Sequence, residues 1–486
     1  MRLIIVLFPI IIILASIFAA GAEISSEQIV EGSSYEYTKH GSAHPSYHCD
    51  IIRADTVGDI VYIPATLEGY DVTCITEGAF SGSSISCVII PPAVSIIHRG
   101  AFSSCPNLKD AYFLGDRPSM DGAFEMKVLY HALPNSSGWT AEDRITVVSL
   151  DGSDYALMPD CAMVIGGKPS DGILTIGSYV GGLDVKRIGP YAFAGSMMDN
   201  GEVKRRSDIK EVRMPEGIEI IGERAFYYSD ISSIRLPNSV TVLNDEAFRG
   251  CVFLESVNLD SVRSIGFETF RDCASIRNVF VAGSVERCGD GAFYLCTGLE
   301  TAMISLHNIP NRMLGYCENL ESVKLKGVTS IGGSAFFKCS SLISLDLDGV
   351  RTVGEEAFRD CTMLENTALG DVETIGHSAF RGCTSIREIT IPDSVSYLGS
   401  YAFADCTEIH KIVSLGAAPR GDDTVFLNVD SRIYCKPEHS DSWIMSDFGL
   451  EVECYVSGDQ TLTASVIILA TIAVVIAVVF RKRISA

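Results

Sequence analysis

Apolar and polar residues alternate over short runs along most of the chain, and each run leads into the same sequence of events before the pattern begins again. In Leu254–Asp260 (LESVNLD), Leu254, Val257 and Leu259 fall on one side while Asn258 falls on the other, as expected of a strand with one buried face. Residues 261–264 read as a turn, and Ile265-Gly266 as a tight bend at the glycine. Glu268–Asp272 is predicted to form one helical or 3-10 turn that buries Phe270. The unit is cleanest at 329–350 and recurs about every 22 residues. Its Ala-Phe anchor ends at Phe80, Phe102, Phe124, Phe193, Phe226, Phe248, Phe293, Phe336, Phe358, Phe380 and Phe403, with Thr269-Phe270 and Met313-Leu314 as weaker copies. A fixed period of this length predicts a solenoid, in which each coil buries its apolar side on the next and the Phe rings stack into a spine.

The pattern decays twice. After Phe124 and again after Phe403 it gives way to an aliphatic-Tyr strand, a Pro, a Ser-rich turn and a Trp, Trp139 in one case and Trp443 in the other. A solenoid needs a non-repeating piece to hide its last coil, so both segments read as caps and the chain as two arrays, 23–145 and 146–458. Gly172–Phe193 echoes Asp59–Phe80, in keeping with a duplicated unit. The interval from Phe193 to Phe226 is longer than the rest and contains MMDNGEVKRRSD, expected to bulge as a polar loop with Lys204-Arg205-Arg206 at its solvated tip. At the termini, residues 1–22 have the form of a secretory signal peptide. Residues 462–480 carry no charge and are long enough for one C-terminal transmembrane helix. The basic run at 481–483 places the tail 481–486 in the cytoplasm and the body outside the cell, on a single-pass membrane protein.

The stretch Ile375–Val395, IGHSAFRGCTSIREITIPDSV, resembles the BspA-type leucine-rich repeat of cell-surface proteins, and the resemblance extends over roughly 35–443. It implies a leucine-rich-repeat solenoid of α/β type, with short parallel strands, helical or 3-10 turns and about 22–23 residues per coil. It also implies protein binding or cell-surface adhesion. The chain departs from the family pattern in ending on an apolar membrane segment rather than a wall-sorting motif.

Charge and candidate chemistry narrow the function. A net charge of −23 and a pI near 4.8 argue against a nucleic-acid partner, which needs a basic face. Sixteen cysteines in an exported chain suggest disulfides, but Cys105, Cys251, Cys273 and six later ones share one slot of the repeat, where parallel side chains disfavour the disulfide torsion. These are expected to be buried thiols, whereas Cys435 and Cys454 flank the last cap and are candidates for a disulfide. His40, His44 and His48 would align only on a helix, which Gly41 and Pro45 oppose, so no metal or other cofactor is expected. Neither a nucleophile elbow nor a phosphate-cradling loop occurs, and the chain does not read as an enzyme. Asn135 begins a glycosylation sequon. The most informative variation lies in the outward slot of the strands: Arg213, Arg235, Asn258, Phe280, Met303, Lys324 and Asp346 change chemistry from coil to coil while the framework does not. This face is the expected site for an extracellular protein or glycan, with Phe280 and Met303 as an apolar patch. The alternative is a surface-coat or spacer protein that has no dedicated ligand.

Overall fold

In the computed structural model, residues 25–30, 33–40, 48–124, 128–198, 202–446 and 448–454 are described. The segments expected to form a signal peptide, 1–22, and a transmembrane helix with its tail, 462–486, lie outside them, and among the described residues no helix is long and apolar enough to cross a membrane. The chain divides into two compact units, 1–299 and 300–486.

The first unit opens with the antiparallel strands Ser25–Val30, Ser33–His40 and His48–Asp55, then turns parallel. One ladder runs through Ile60–Tyr62, Cys87–Ile90, Asp110–Phe113 and Leu129–Ala132. An antiparallel set, Val147–Leu150, Ser153–Leu157 and Ala162–Gly167, starts the next stack. From Leu183–Ile188 its parallel ladder continues through Ile220–Ile221, Val242–Leu243, Ser264–Ile265 and Arg287–Cys288. The second unit repeats the plan, with one ladder in Thr301–Ile304, Ser322–Leu325, Ser344–Asp346 and Asn366–Ala368. Its other ladder runs from Asn308–Ile309 to Tyr397–Leu398. Each unit is thus a parallel-strand β-solenoid.

The core is the predicted spine. In the first unit Phe226, Phe248, Phe270 and Phe293 stack at 5.2–5.3 Å with nearly parallel rings. In the second, Phe336, Phe358, Phe380 and Phe403 stack at 5.0–5.2 Å, and Leu314 is buried at the equivalent position of the weaker copy. Two expectations fail. The segment around Phe270 is not helical: Glu268 and Asp272 have φ of 47° and 60°, and Glu268, Phe270 and Asp272 donate their N–H to Asp290, Ala292 and Tyr294 of the next coil. The N–H groups of Arg271 and Cys273 close local turns, on the Glu268 and Phe270 carbonyls. Every second donor is spent on the neighbouring coil, so a helical ladder cannot form. Among the described residues, helix is confined to Ser440–Ile444 and to the 3-10 segments Ala141–Asp143 and Pro437–His439. The glycine of Ile-Gly, in turn, serves close approach rather than a bend. Gly266 has no left-handed φ, yet a Cβ there would lie 2.5 Å from the Asp245 nitrogen of the preceding coil, and one at Gly376 would lie 2.7 Å from that of Glu355.

Both tryptophans are buried. Trp139 packs 4.5 Å from Phe113 and donates to the Gly115 carbonyl, while Trp443 donates to Ser414 Oγ and the Gly416 carbonyl. One further strand, Glu451–Cys454, follows Trp443 and pairs with Arg432–Cys435.

Candidate partner-binding face

The outward slot is built by strand alternation. In the first unit Thr175, Arg213 and Arg235 stand in register on adjacent strands, all exposed. Asn258 occupies the next position but is only half-exposed. Its Oδ1 accepts from Leu236 N and its Nδ2 donates to Leu236 O, both at 2.9 Å, so the amide replaces a missing rung of the ladder. Phe280 is 45% exposed in Asn278–Val281. In the second unit Met303, Lys324, Asp346 and Ala368 follow in register; Met303 is 42% exposed and Asp346 accepts from Asp348 N. Phe280 belongs to the first unit and Met303 to the second.

The equivalent face at 60–113 is different. Outward residues Ile60, Tyr62, Cys87, Ile89 and Tyr112 lie beneath the chain's own segment 145–165, in one apolar cluster with Ile145, Met158, Cys161 and Met163. Tyr62 donates to Asp160 Oδ1 at 2.8 Å, and the Arg187 guanidinium stands 3.8 Å from the centre of the Tyr62 ring. The signal was present in CVII, which is apolar on the outward side as well as the inward one.

A second contact joins the same two parts of the first unit. The segment 65–71 sits on a row of charged residues next to the Ala-Phe anchors. Ala65 N donates to Glu223 Oε1, while Gly69 N and Thr66 Oγ1 donate to Asp245. Arg224 binds Asp71, and it reaches Glu246 at 2.5 Å. Glu246 also binds Arg249, which reaches Glu268 at 2.9 Å, and Glu268 holds Arg271 at 2.8 Å. Glu246 is 1% exposed; its two arginines hold its carboxyl below the usual range against the opposing effect of burial. Asp245, also buried but without such a partner, is pushed up to about 6. Arg224, Glu246 and Glu268 recur at the repeat spacing, with Arg249 and Arg271 three residues after the two glutamates, a signal visible in the sequence but easily read as a solvated face.

The remaining candidates are placed as follows. Lys204-Arg205-Arg206 is not a free loop tip: Arg205 reaches Asp230 at 2.5 Å and the Ser229 and Gly250 carbonyls, and Arg206 bonds Asp208 and the Gly167 carbonyl. Thiols in the repeat slot are buried and donate to the Phe carbonyl of the preceding coil, as Cys273 does to Phe248 O and Cys361 to Phe336 O at 3.2 Å. Cys435 and Cys454 are register partners on parallel strands, both as free thiols, one buried and the other exposed. Asn135 is exposed, and Ser137 N of its sequon donates to Asp116. His40 and His48 pair across antiparallel strands, rings 5.1 Å apart, with His40 Nε2 at 3.1 Å from Asp50; His44 lies outside the described residues. Among the described residues no group of three or more metal-ligating side chains occurs.

The model of the BspA type leucine rich repeat region matches in six copies, over 65–125, 186–321 and 301–410. No curated protein matches the chain. Similar solved structures include a leucine rich cell surface protein of Faecalibacterium prausnitzii, 19% identical, covering 65% of this chain and 96% of that one with a TM-score of 0.37. A leucine-rich repeat protein of Bacteroides ovatus is 19% identical over 88% of this chain and all of its own, with a TM-score of 0.30. The pneumococcal vaccine antigen PcpA is 17% identical over 64% of this chain and 99% of its own, with a TM-score of 0.37.

Proposed function

Because the chain belongs to the BspA-type leucine-rich-repeat family, we propose that it is a membrane-anchored extracellular solenoid, with arrays at 23–145 and 146–458, whose outward strand face binds a protein or glycan in adhesion or surface recognition. A general binding role fits the family. The observation that carries the finer reading is the contrast between slots. Inward positions repeat Leu, Ile, Val and Phe, whereas the outward slot runs through Arg213, Arg235, Phe280, Met303, Lys324 and Asp346, a variety that packing does not require. The covered face at 60–113 supports it as well, since such a face already docks polypeptide within this chain.

The test is saturable binding of cells expressing the full chain to other cells or to matrix proteins, compared with a Phe280→Asp/Met303→Asp variant at equal surface level. Loss of binding in the variant is expected. Unchanged binding refutes the ladder patch, and a wild-type chain that binds nothing favours the spacer reading.

A further inference from the structure

The strand face at 173–235 carries a charge opposite to that of the chain. Arg213 and Arg235 take the same outward position on the paired strands Glu211–Arg213 and Ser233–Arg235, and both are exposed. Lys210, just ahead of the first strand, brings its Nζ to 5.7 Å from the centre of the Phe253 ring, and Arg205 approaches the same ring at 5.8 Å. Phe253 is 49% exposed. Two carboxylates answer these four cations: Asp230, shared by Arg205 and Lys210, and Glu211, 2.7 Å from Arg213 Nε. Arg235 makes no ion pair among the described residues. Neighbouring strands stand about 4.8 Å apart, well inside the roughly 8 Å Debye length of physiological salt, so Arg213 and Arg235 act together on an approaching anion.

We propose that this face docks an acidic, extended polypeptide segment, whose carboxylates meet Arg213 and Arg235 and whose apolar side chain covers Phe253. The proposal rests on the ladder-face reading above and names its partner class. Guanidinium groups match carboxylates in a planar, two-point fashion, and an exposed aromatic ring favours a partner that brings apolar surface along with its charge. A polypeptide is favoured because the equivalent face at 60–113 already holds one, with Asp160 accepting from an outward Tyr and Met158 and Met163 in the apolar contact.

The experiment uses the full chain in zwitterionic lipid nanodiscs and two fluorescent twelve-residue probes, (Glu-Leu)6 and (Lys-Leu)6. The acidic probe should bind at least about tenfold tighter, and its affinity should fall by about tenfold or more between 50 and 300 mM salt. Arg213→Glu/Arg235→Glu should abolish the preference with the amide-exchange pattern of the core unchanged, while Arg351→Glu, on the other ladder of the second unit, should retain it. Equal affinity for the two probes, or an unaffected double variant, overturns the proposal. So does a preference for chondroitin sulfate over the acidic probe, which would mean a glycan, or concentration-dependent self-association lost in the double variant without probe binding, which would mean a second copy. A chain that still binds cells through Phe280 and Met303 but ignores the acidic probe overturns this proposal alone, and one that does neither overturns both.

Discussion

Replacing Glu246 by Ala tests what holds segment 65–71 onto the second stack. The carboxylate is 1% exposed and lies between Arg224 and Arg249, themselves 8% and 11% exposed. Its removal leaves two buried guanidinium groups facing each other across the gap. Breaking a buried ion pair on one side costs about 3–5 kcal/mol, because the surviving charge stays desolvated. Asp71 still holds Arg224 and Glu268 still holds Arg249, so the lower end, about 3 kcal/mol, is expected. At 1.36 kcal/mol per factor of ten this is a roughly 100-fold increase in local opening. The assay is amide hydrogen exchange at Ala65 and Gly69, whose donors are seated on Glu223 and Asp245, with Phe358 of the second unit as internal reference. Apolar replacement of the whole triad, Arg224→Met/Glu246→Leu/Arg249→Leu, should lose less, since no guanidinium is stranded, Glu268 keeps Arg271 and Asp71 keeps the Tyr191 hydroxyl. Acceleration below about tenfold at Ala65 and Gly69, or equal acceleration at Phe358, refutes the reasoning.

The same contact should respond to pH. Asp245 has its pKa raised to about 6 in the folded state, so its contribution is fully present below its unfolded value near 4 and is lost as pH rises through 6. Acidification from pH 7.5 to 5.5 should therefore raise the protection factor at Gly69, taken relative to the intrinsic base-catalysed rate at each pH, and Asp245→Asn should remove that rise. Nearby Glu68 and Glu246 add to the raised value, and Glu246, whose own pKa is lowered, reverses the effect when it protonates in more acidic solution. The cysteine slots give a separate check: burial raises the Cys251 thiol to about 12 and pushes Cys361 higher still, so iodoacetamide at pH 8 should label exposed Cys454 first and the slot cysteines only on unfolding. Native-state labelling of Cys361 as fast as Cys454 would contradict the buried, carbonyl-bonded thiol.

Period, phase and inward residues were legible in the sequence because each coil contacts mainly the coil 22 or 23 residues away, and a repeated neighbour leaves a repeated residue. Phe270, Cys273 and Leu254 are buried where the alternation put them. The turn at 268–272 was misjudged as helical because its composition suits a helix, and nothing local reveals that alternate N–H groups are claimed by the next coil. Arg205 and Arg206 look like a solvated loop until Asp230, Gly167 and Gly250 are brought up against them by the stack.

By itself, then, the sequence determined the one-dimensional part of this protein: a repeat solenoid of short parallel strands with a Phe spine, a buried thiol row and a variable outward slot. Only the tertiary structure decided which outward faces are free. Tyr62 meets Asp160 across 98 residues and Arg224 meets Asp71 across 153. Contacts at such separations arise once each, so they leave no period to read. They cover the apolar face at 60–113 and bury the Arg224–Glu246–Arg249 row, while Arg213 and Arg235, written in the same repeat slot as Tyr62, remain open to solvent.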